Sequence, residues 1–260
     1  HDAMDNRNFS PRASLNFHLT PQHTLRIGAS VAYRTPSLGE RNGSGANQYQ
    51  LGYKYQPSPA ITSPGLQPEK VVSREIGYLG EFRELETSLD LRAYNDIYSN
   101  LIYPFTGGIW KNGMTASYTG GEATLKHAFG DAAELTLNCA STMANSNYSG
   151  LMPGQPDWLA LSIPRNSASL LYSQRLPDEL SFSAAYYLQT SSQGFDRGPV
   201  DFQPTSHRTD IRLAKSFRTP GGLNGEVAGV VQNLFRTDYT SYVSSVLFNR
   251  RAYVTLTLRQ

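Results

Sequence analysis

Residues 65–82 read GLQPEKVVSREIGYLGEF, and their alternation decides the fold. The opening Gly65-Leu66-Gln67-Pro68-Glu69 has turn chemistry. From there Val72, Ile76, Tyr78 and Phe82 share one parity, while Ser73, Glu75, Gly77 and Glu81 share the other. Successive side chains of a strand point to opposite faces, so this alternation marks a strand with one apolar and one polar side. The apolar side can meet a second sheet, as in a soluble sandwich, or acyl chains, as in a membrane barrel. The rest of the chain has to choose.

The same pattern recurs in eleven segments, at 12–19, 24–34, 70–82, 85–96, 115–129, 133–145, 166–176, 180–191, 206–218, 223–233 and 251–260. Leu25, Ile27, Ala29, Val31 and Tyr33 alternate with Arg26, Gly28, Ser30, Ala32 and Arg34. Leu85, Leu89, Leu91 and Ala93 oppose Glu86, Asp90, Arg92 and Tyr94, and Phe182, Ala184, Tyr186 and Leu188 oppose Ser183, Ala185, Tyr187 and Gln189. Two segments are mixed: 115–129 is interrupted by glycine, and 223–233 is apolar on both parities. Many segments exceed the roughly 5–6 residues of an average soluble strand and match the roughly 9–11 needed to cross a bilayer at a tilt. Their connections also alternate in length. Short turns at 20–23, 82–84, 130–131, 176–179 and 219–222 interleave with long ones at 35–69, 97–114, 146–165, 192–205 and 234–250. Short periplasmic turns and long outer loops are the habit of outer-membrane barrels, whereas Greek-key sandwiches have no reason to keep that rhythm. The expected fold is therefore an all-β, antiparallel, up-and-down transmembrane β-barrel with about 11 strands present.

Composition agrees. A formal net charge of +2 and no basic run give no field for nucleic acid. The one cysteine, Cys139, excludes a disulfide framework and a multi-cysteine metal site. Mean hydropathy is polar, as dilution by an alternating pattern requires, and no run approaches the ~18 apolar residues of a membrane helix. The 16 tyrosines and 11 phenylalanines suit strands and interfacial girdles. With short turns on the periplasmic side, the last strand descends and so does the first. An even-stranded barrel then requires at least one earlier strand, so the 260 residues are expected to be part of a longer chain.

Several landmarks, taken in order, resemble the C-terminal half of the TonB-dependent outer-membrane receptor barrels. AYRTPSLGE (32–40) is similar to that family's aromatic-Arg-x-Pro-Ser-Leu-x-Glu element. SPGLQPEKVVSREIGYLGEF (63–82) resembles its Asn-Pro-x-Leu-x-Pro-Glu element and Glu-x-Gly strand, with Ser63 in place of Asn. LRAYNDIYSNLI (91–102), SIPRNSASLLYSQRL (162–176) and VVQNLFRTDY (230–239) resemble its Tyr-x-Asp-Ile, Val-Pro-x-Asn and Asn-Leu-Phe elements, the last with Arg236 in place of Asp. RRAYVTLTLRQ closes like its final strand, ending on Gln260 where the family has an aromatic. The resemblance implies that residues 1–260 are the C-terminal portion of a receptor barrel of about 22 strands, the plug, the TonB box and the first barrel half lying outside this sequence. It further implies an outer-membrane location and energised uptake of a scarce ligand, most often a ferric siderophore. The implied partners are TonB with ExbB and ExbD, acting through the plug, and outer-membrane lipid. The barrel is expected to be a monomer that takes no nucleic acid and carries no cofactor of its own; an iron chelate is the default ligand by family frequency, with cobalamin, copper chelates and oligosaccharides open as alternatives.

Chemistry-bearing residues fit transport better than catalysis. There is no phosphate loop, His-Glu-x-x-His or Cys-x-x-Cys, and the only local candidate dyad is His207 with Asp210. No catalytic or metal-binding residue is assigned. Arg34, Arg92, Arg208 and Arg212 share the polar parity with Glu75, Glu81, Glu86, Asp90, Asp96 and Asp210. They either pair with one another or with the plug, or they attract an anionic ligand. Arg34 and Arg208 lie nearest the outer strand ends, and a guanidinium suits planar oxyanions. Aromatics crowd the outer loops (Tyr49, Tyr53, Tyr55, Tyr103, Phe105, Trp110, Tyr148, Trp158, Phe195, Tyr239 and Tyr242), forming either a ligand surface or an interfacial belt. The candidate ligand-binding residues are Arg34, Tyr94, Trp110, Trp158, Tyr187 and Arg208. Residues 38–66 contain no histidine, which disfavours haem. Two rivals remain. A secretion translocator of about 12 strands would place a helix before its first strand, but HDAMDNRNFSPR has no helical period and contains Pro11. A soluble propeller would show a repeat of about 40–50 residues, and none is found.

Overall fold

The computed structural model describes residues 8–42, 63, 65–104, 110–151, 154, 156–194, 198–235, 239–241 and 243–259. Eleven strands form one continuous antiparallel sheet in chain order. They are β1 (Arg12–Thr20), β2 (His23–Arg34), β3 (Glu69–Phe82), β4 (Thr87–Pro104), β5 (Trp110–Phe129), β6 (Ala133–Ser146), β7 (Asn166–Leu176), β8 (Leu180–Gln189), β11 (Ser206–Arg218), β12 (Asn224–Gln232) and β15 (Arg251–Arg259). Two hairpins stand apart in the long connections: β9 (Ser192–Gly194) with β10 (Gly198–Gln203), and β13 (Tyr239–Ser241) with β14 (Val243–Phe248). One-turn helices Leu38–Asn42, Tyr148–Leu151 and Trp158–Leu161 sit in the remaining long connections. Every expected strand is present, and β1 and β15 are the sheet's two edges.

The short ends turn on left-handed residues, including Gly130 (φ 58°), Asp178 (φ 59°), Glu179 (φ 57°) and Gly222 (φ 82°). Two expectations need correction here. Leu85 and Glu86 are not the start of a strand. Arg83–Leu85 is a turn of 3₁₀ helix, Glu86 is left-handed at φ 47°, and its carboxylate accepts from Gly130 N at 2.8 Å across the neighbouring turn. The connection expected at 97–114 is much shorter, because β4 runs 18 residues to Pro104 and β5 starts at Trp110. The register shifts past Tyr98, where Asn100 takes φ 57°, and this bulge breaks the alternation, which hid the continuing hairpin.

Residues directly opposite on neighbouring strands share a face, so the register sorts the side chains. One row runs Leu25, Tyr78, Leu91, Ala123, Cys139, Ala168, Leu188, and the next row but one on the other face runs Gly28, Glu75, Tyr94, Gly120, Thr142. Among the described residues, no second layer packs on the apolar face. Among the described residues, buried apolar side chains are few: Leu66, Ile102, Tyr103, Met114 and Ala116 at the outer end of β4 and β5, and Ala214 with Ala228. Leu15, Ile27, Ile76, Leu213 and Leu256 are each more than half exposed. A soluble monomer rarely exposes apolar patches beyond a few hundred Å². An entire sheet face of this kind requires lipid as its solvent.

Candidate functional site

The polar face is laced by ion pairs between strands. Arg26 meets Asp90 at 2.6 Å, Arg92 meets Glu75 at 2.8 Å and Glu122 at 3.3 Å, and Arg212 meets Glu226 at 2.5 Å. These arginines answer carboxylates on the same wall. Tyr94 belongs to this layer. Its ring lies 5.2 Å from the Arg92 guanidinium, and its hydroxyl reaches Thr142 Oγ1 at 2.7 Å, two strands away. The ring can lie flat because Gly120 is beneath it, where a Cβ would come within 2.6 Å of the Tyr94 hydroxyl.

At the top of β2, Arg34 joins two distant segments. Its fork donates to Glu40 at 2.9 and 3.1 Å and to Glu69. Ser37 and Glu40 form a reciprocal capping box: Ser37 N donates to Glu40 Oε2 at 2.7 Å, and Glu40 N to Ser37 Oγ at 3.2 Å. Burial pushes the Glu40 carboxyl up, but the Arg34 fork and the Ser37 N–H and hydroxyl outweigh it and hold it below the usual range. Glu69 also accepts from Ile102 N at 2.7 Å, and Trp110 N donates to Ser63 Oγ at 2.8 Å. The Pro-Ser-Leu-x-Glu and Pro-Glu elements are thus two halves of one clamp that fastens the 63–69 segment to the β4–β5 hairpin. The Ser-x-x-Glu spacing was the signal in the sequence that could have exposed it.

The polar face gathers a second group at its outer end. Tyr187 on β8 and Arg208 on β11 are directly opposed, with the guanidinium 4.5 Å from the Tyr187 ring centre. Arg208 also meets Asp210 at 3.0 Å and the Tyr239 hydroxyl at 3.3 Å. Beside Tyr239, Thr240 donates to Gln203 Oε1, which ties the β9–β10 and β13–β14 hairpins together. Arg208 Nε and Gln203 Nε2 are buried donors with no acceptor among the described residues. Asn233 of the Asn-Leu-Phe element is left-handed at φ 55° and donates its N–H to Asp210 Oδ1 at 3.0 Å, fixing the start of this connection.

The candidate residues therefore fall in separate places. Tyr187 and Arg208 are brought together, and Arg34, on β2, is held by two carboxylates. Trp110 opens β5 with a buried indole N–H that has no acceptor among the described residues. Trp158 begins a helix capped by Asp157, whose carboxylate also accepts from Ser146 N and Oγ at 2.9 and 2.6 Å. The candidate dyad fails: His207 lies on the apolar face, bonded to Tyr186 at 2.7 Å, while Asp210 lies on the polar face. Tyr49, Tyr53, Tyr55, Phe105, Phe195, Arg236, Tyr242 and Gln260 lie outside the described residues.

A one-layer meander with one lipid-compatible face and one ion-paired face, long connections all at one end, is the wall of a membrane β-barrel. The family described as TonB dependent receptor-like, beta-barrel, matches residues 2–234, and the chain belongs to that family. Family membership displaces the secretion-translocator alternative. The chain is 30% identical over 111 residues to the vitamin B12 transporter BtuB of Vibrio vulnificus (strain CMCP6), covering 42% of this chain and 14% of that protein. Among solved structures, it superposes on the siderophore receptor PiuA of Acinetobacter baumannii with a TM-score of 0.70 at 15% identity, covering 95% of this chain and 35% of the receptor. The ferric-catecholate import receptor Fiu of E. coli K12 gives 0.66 at 18% identity, covering 95% and 34%. The chain spans about a third of these solved receptors and a smaller share of the B12 transporter. In membrane β-barrels generally the polar parity lines the interior.

Proposed function

We propose that this chain is the C-terminal part of an outer-membrane receptor that takes up a scarce ligand with energy delivered through TonB, and that the ligand is an oxygen-rich iron chelate of the ferric siderophore class. The carrying observation is the Tyr187–Arg208–Tyr239 group, which pairs aromatic faces with two buried donors, Arg208 Nε and Gln203 Nε2, that have no acceptor among the described residues. A buried donor left unmade is costly, and a carboxylate or catecholate oxygen arriving from the outer side would satisfy it. Relatives that handle ferric catecholates and siderophores support the ligand class. On this reading Tyr187 and Arg208 touch the ligand, Trp110 and Trp158 line the mouth, Tyr94 lies deeper in the bore, and Arg34 acts by holding the rim. The plug that TonB, with ExbB and ExbD, would pull lies outside this sequence, and the complete protein works as a monomer.

Binding of a panel of ferric siderophores to the complete protein tests this. Arg208→Gln is expected to weaken the bound chelate about tenfold or more, the scale of one lost charge-assisted hydrogen bond. Unchanged affinity with a normally inserted barrel would remove Arg208 from the site. Binding of cobalamin but of no iron chelate would replace the ligand class.

A further inference from the structure

On the polar wall of β3–β5, Asp96 has no cation among the described residues. It is half-buried, and its Oδ1 accepts the Ser73 hydroxyl at 2.5 Å; no other described group donates to it. The arginines of this wall are committed elsewhere, Arg92 to Glu75 and Glu122, and Arg34 to Glu40 and Glu69. Lys70 and Arg74 lie on the opposite face, since Ser73, which opposes Asp96, has the other parity. A half-buried charge left without a counter-charge is costly, so something outside the described wall has to answer it.

The surroundings fix what that something is. Tyr98 is two residues up β4 on the same face, and Tyr118 is directly opposite Asp96 on β5. These positions lie about 5–7 Å from Asp96 along and across the strands. The two rings meet edge to face, with centres 5.3 Å apart and planes at 88°, and both are half-buried. Tyr98 opposes Ala116 and Tyr118 opposes Ala144, so the flanking positions put no bulk beside the rings. A second carboxylate, Asp157, acts on Tyr118 from the outer side; it is held by neutral donors alone, Ser146 N and Oγ and Ala160 N. On the deeper side Tyr94 is engaged with Arg92 and Thr142.

An ammonium bonded to Asp96 Oδ2 would lie within the roughly 6 Å over which a tyrosine face attracts a cation, and the carboxylate would supply a charge-assisted hydrogen bond. The geometry points to a binding site for a protonated alkylamine on the lumenal wall of β4–β5, formed by Asp96, Tyr98 and Tyr118, that takes an amine-bearing arm of the transported chelate. This rests on the reading that a chelate enters the bore, and it narrows the ligand to chelates that carry a cationic arm. Arg208 is five strands away in the sheet, about 24 Å at ~4.8 Å per strand. The two groups therefore hold the ligand in turn, and substitutions at them should act independently.

Ferric desferrioxamine B, which ends in a free alkylammonium, and its N-acetyl derivative, titrated into the complete protein and followed by tryptophan fluorescence, read the site. The wild type should bind the amine form at least tenfold more tightly. Asp96→Asn, which can still accept from Ser73, should abolish that preference. Tyr118→Leu should cut it several-fold and Tyr118→Phe should keep it, while Arg208→Gln should weaken both chelates equally. Equal wild-type affinity for the two would overturn the amine site and leave the chelate reading standing. If Asp96→Asn lowered the unfolding midpoint but left the preference intact, the carboxylate would belong to a cation of the protein itself, and the site would fall. If neither chelate bound, the chelate reading would fall, and n-butylammonium titrated alone would decide the site: binding lost in Asp96→Asn upholds it, and no binding overturns it.

Discussion

Arg34 shows how a single side chain sets the rim. Its fork makes Glu40 and Glu69, 29 positions apart in sequence, share one cation, and Ser37 completes the cap. Because Glu40 titrates below its ordinary value in the folded protein, the stabilisation it supplies is complete above the unfolded carboxylate range and is lost as pH falls through the lower folded value. Hydrogen exchange should therefore show residues 37–42 protected at neutral pH and released in acid, and Glu40→Gln should release them already at pH 7. Protection that survives in the Gln variant would show that the cap does not hold this segment. Deeper in the wall, Gly120→Val should dislodge Tyr94 from Thr142, since the new Cβ would sit 2.5 Å from Ser141 O and 2.6 Å from the Tyr94 hydroxyl. The loss would appear as a lower unfolding midpoint. The alternation of residues 70–82 was plain in the sequence, whereas this tyrosine–glycine pairing joins residues from strands whose register no local pattern reveals.

Strands were legible because a period of two survives wherever one face is lipid and the other is water or protein. The pattern failed where that contrast ends. Beyond Tyr98 the β4–β5 hairpin leaves the apolar band, buries Ile102, Tyr103 and Met114, and reads in sequence as a loop. Glu86 was misread for a related reason, since a left-handed turn residue can continue a strand's parity by accident. Adjacent leucines on β7 isolate the parity itself. Leu170 opposes Leu137 and Tyr186 on the apolar face, and Leu171 opposes Thr136 and Ala185 on the polar face; both are roughly 40% exposed. In the complete protein folded into vesicles, Leu170→Arg should cost about 2–4 kcal/mol and Leu171→Arg close to nothing. Equal costs would mean that the two faces meet the same solvent.

At the scale of the molecule, one layer of eleven strands has no core to fold around. Its seven buried apolar side chains among the described residues would not hold a soluble domain of this size together. What holds it is the strand ladder, the ion pairs across the polar wall and the bilayer. The ligand was not legible in the sequence, because the proposed site gathers Tyr187, Arg208, Gln203 and Tyr239, which four separate strands bring to one end. The most direct measurement of the whole account is oxygen against nickel-chelate accessibility of spin labels placed one at a time along residues 72–82, in a Cys139→Ser background of the membrane-inserted protein. Labels at 72, 76, 78 and 82 should favour oxygen and those at 73, 75, 77 and 81 should not, in strict alternation. A flat profile, or an apolar parity shielded from both reagents, would contradict it.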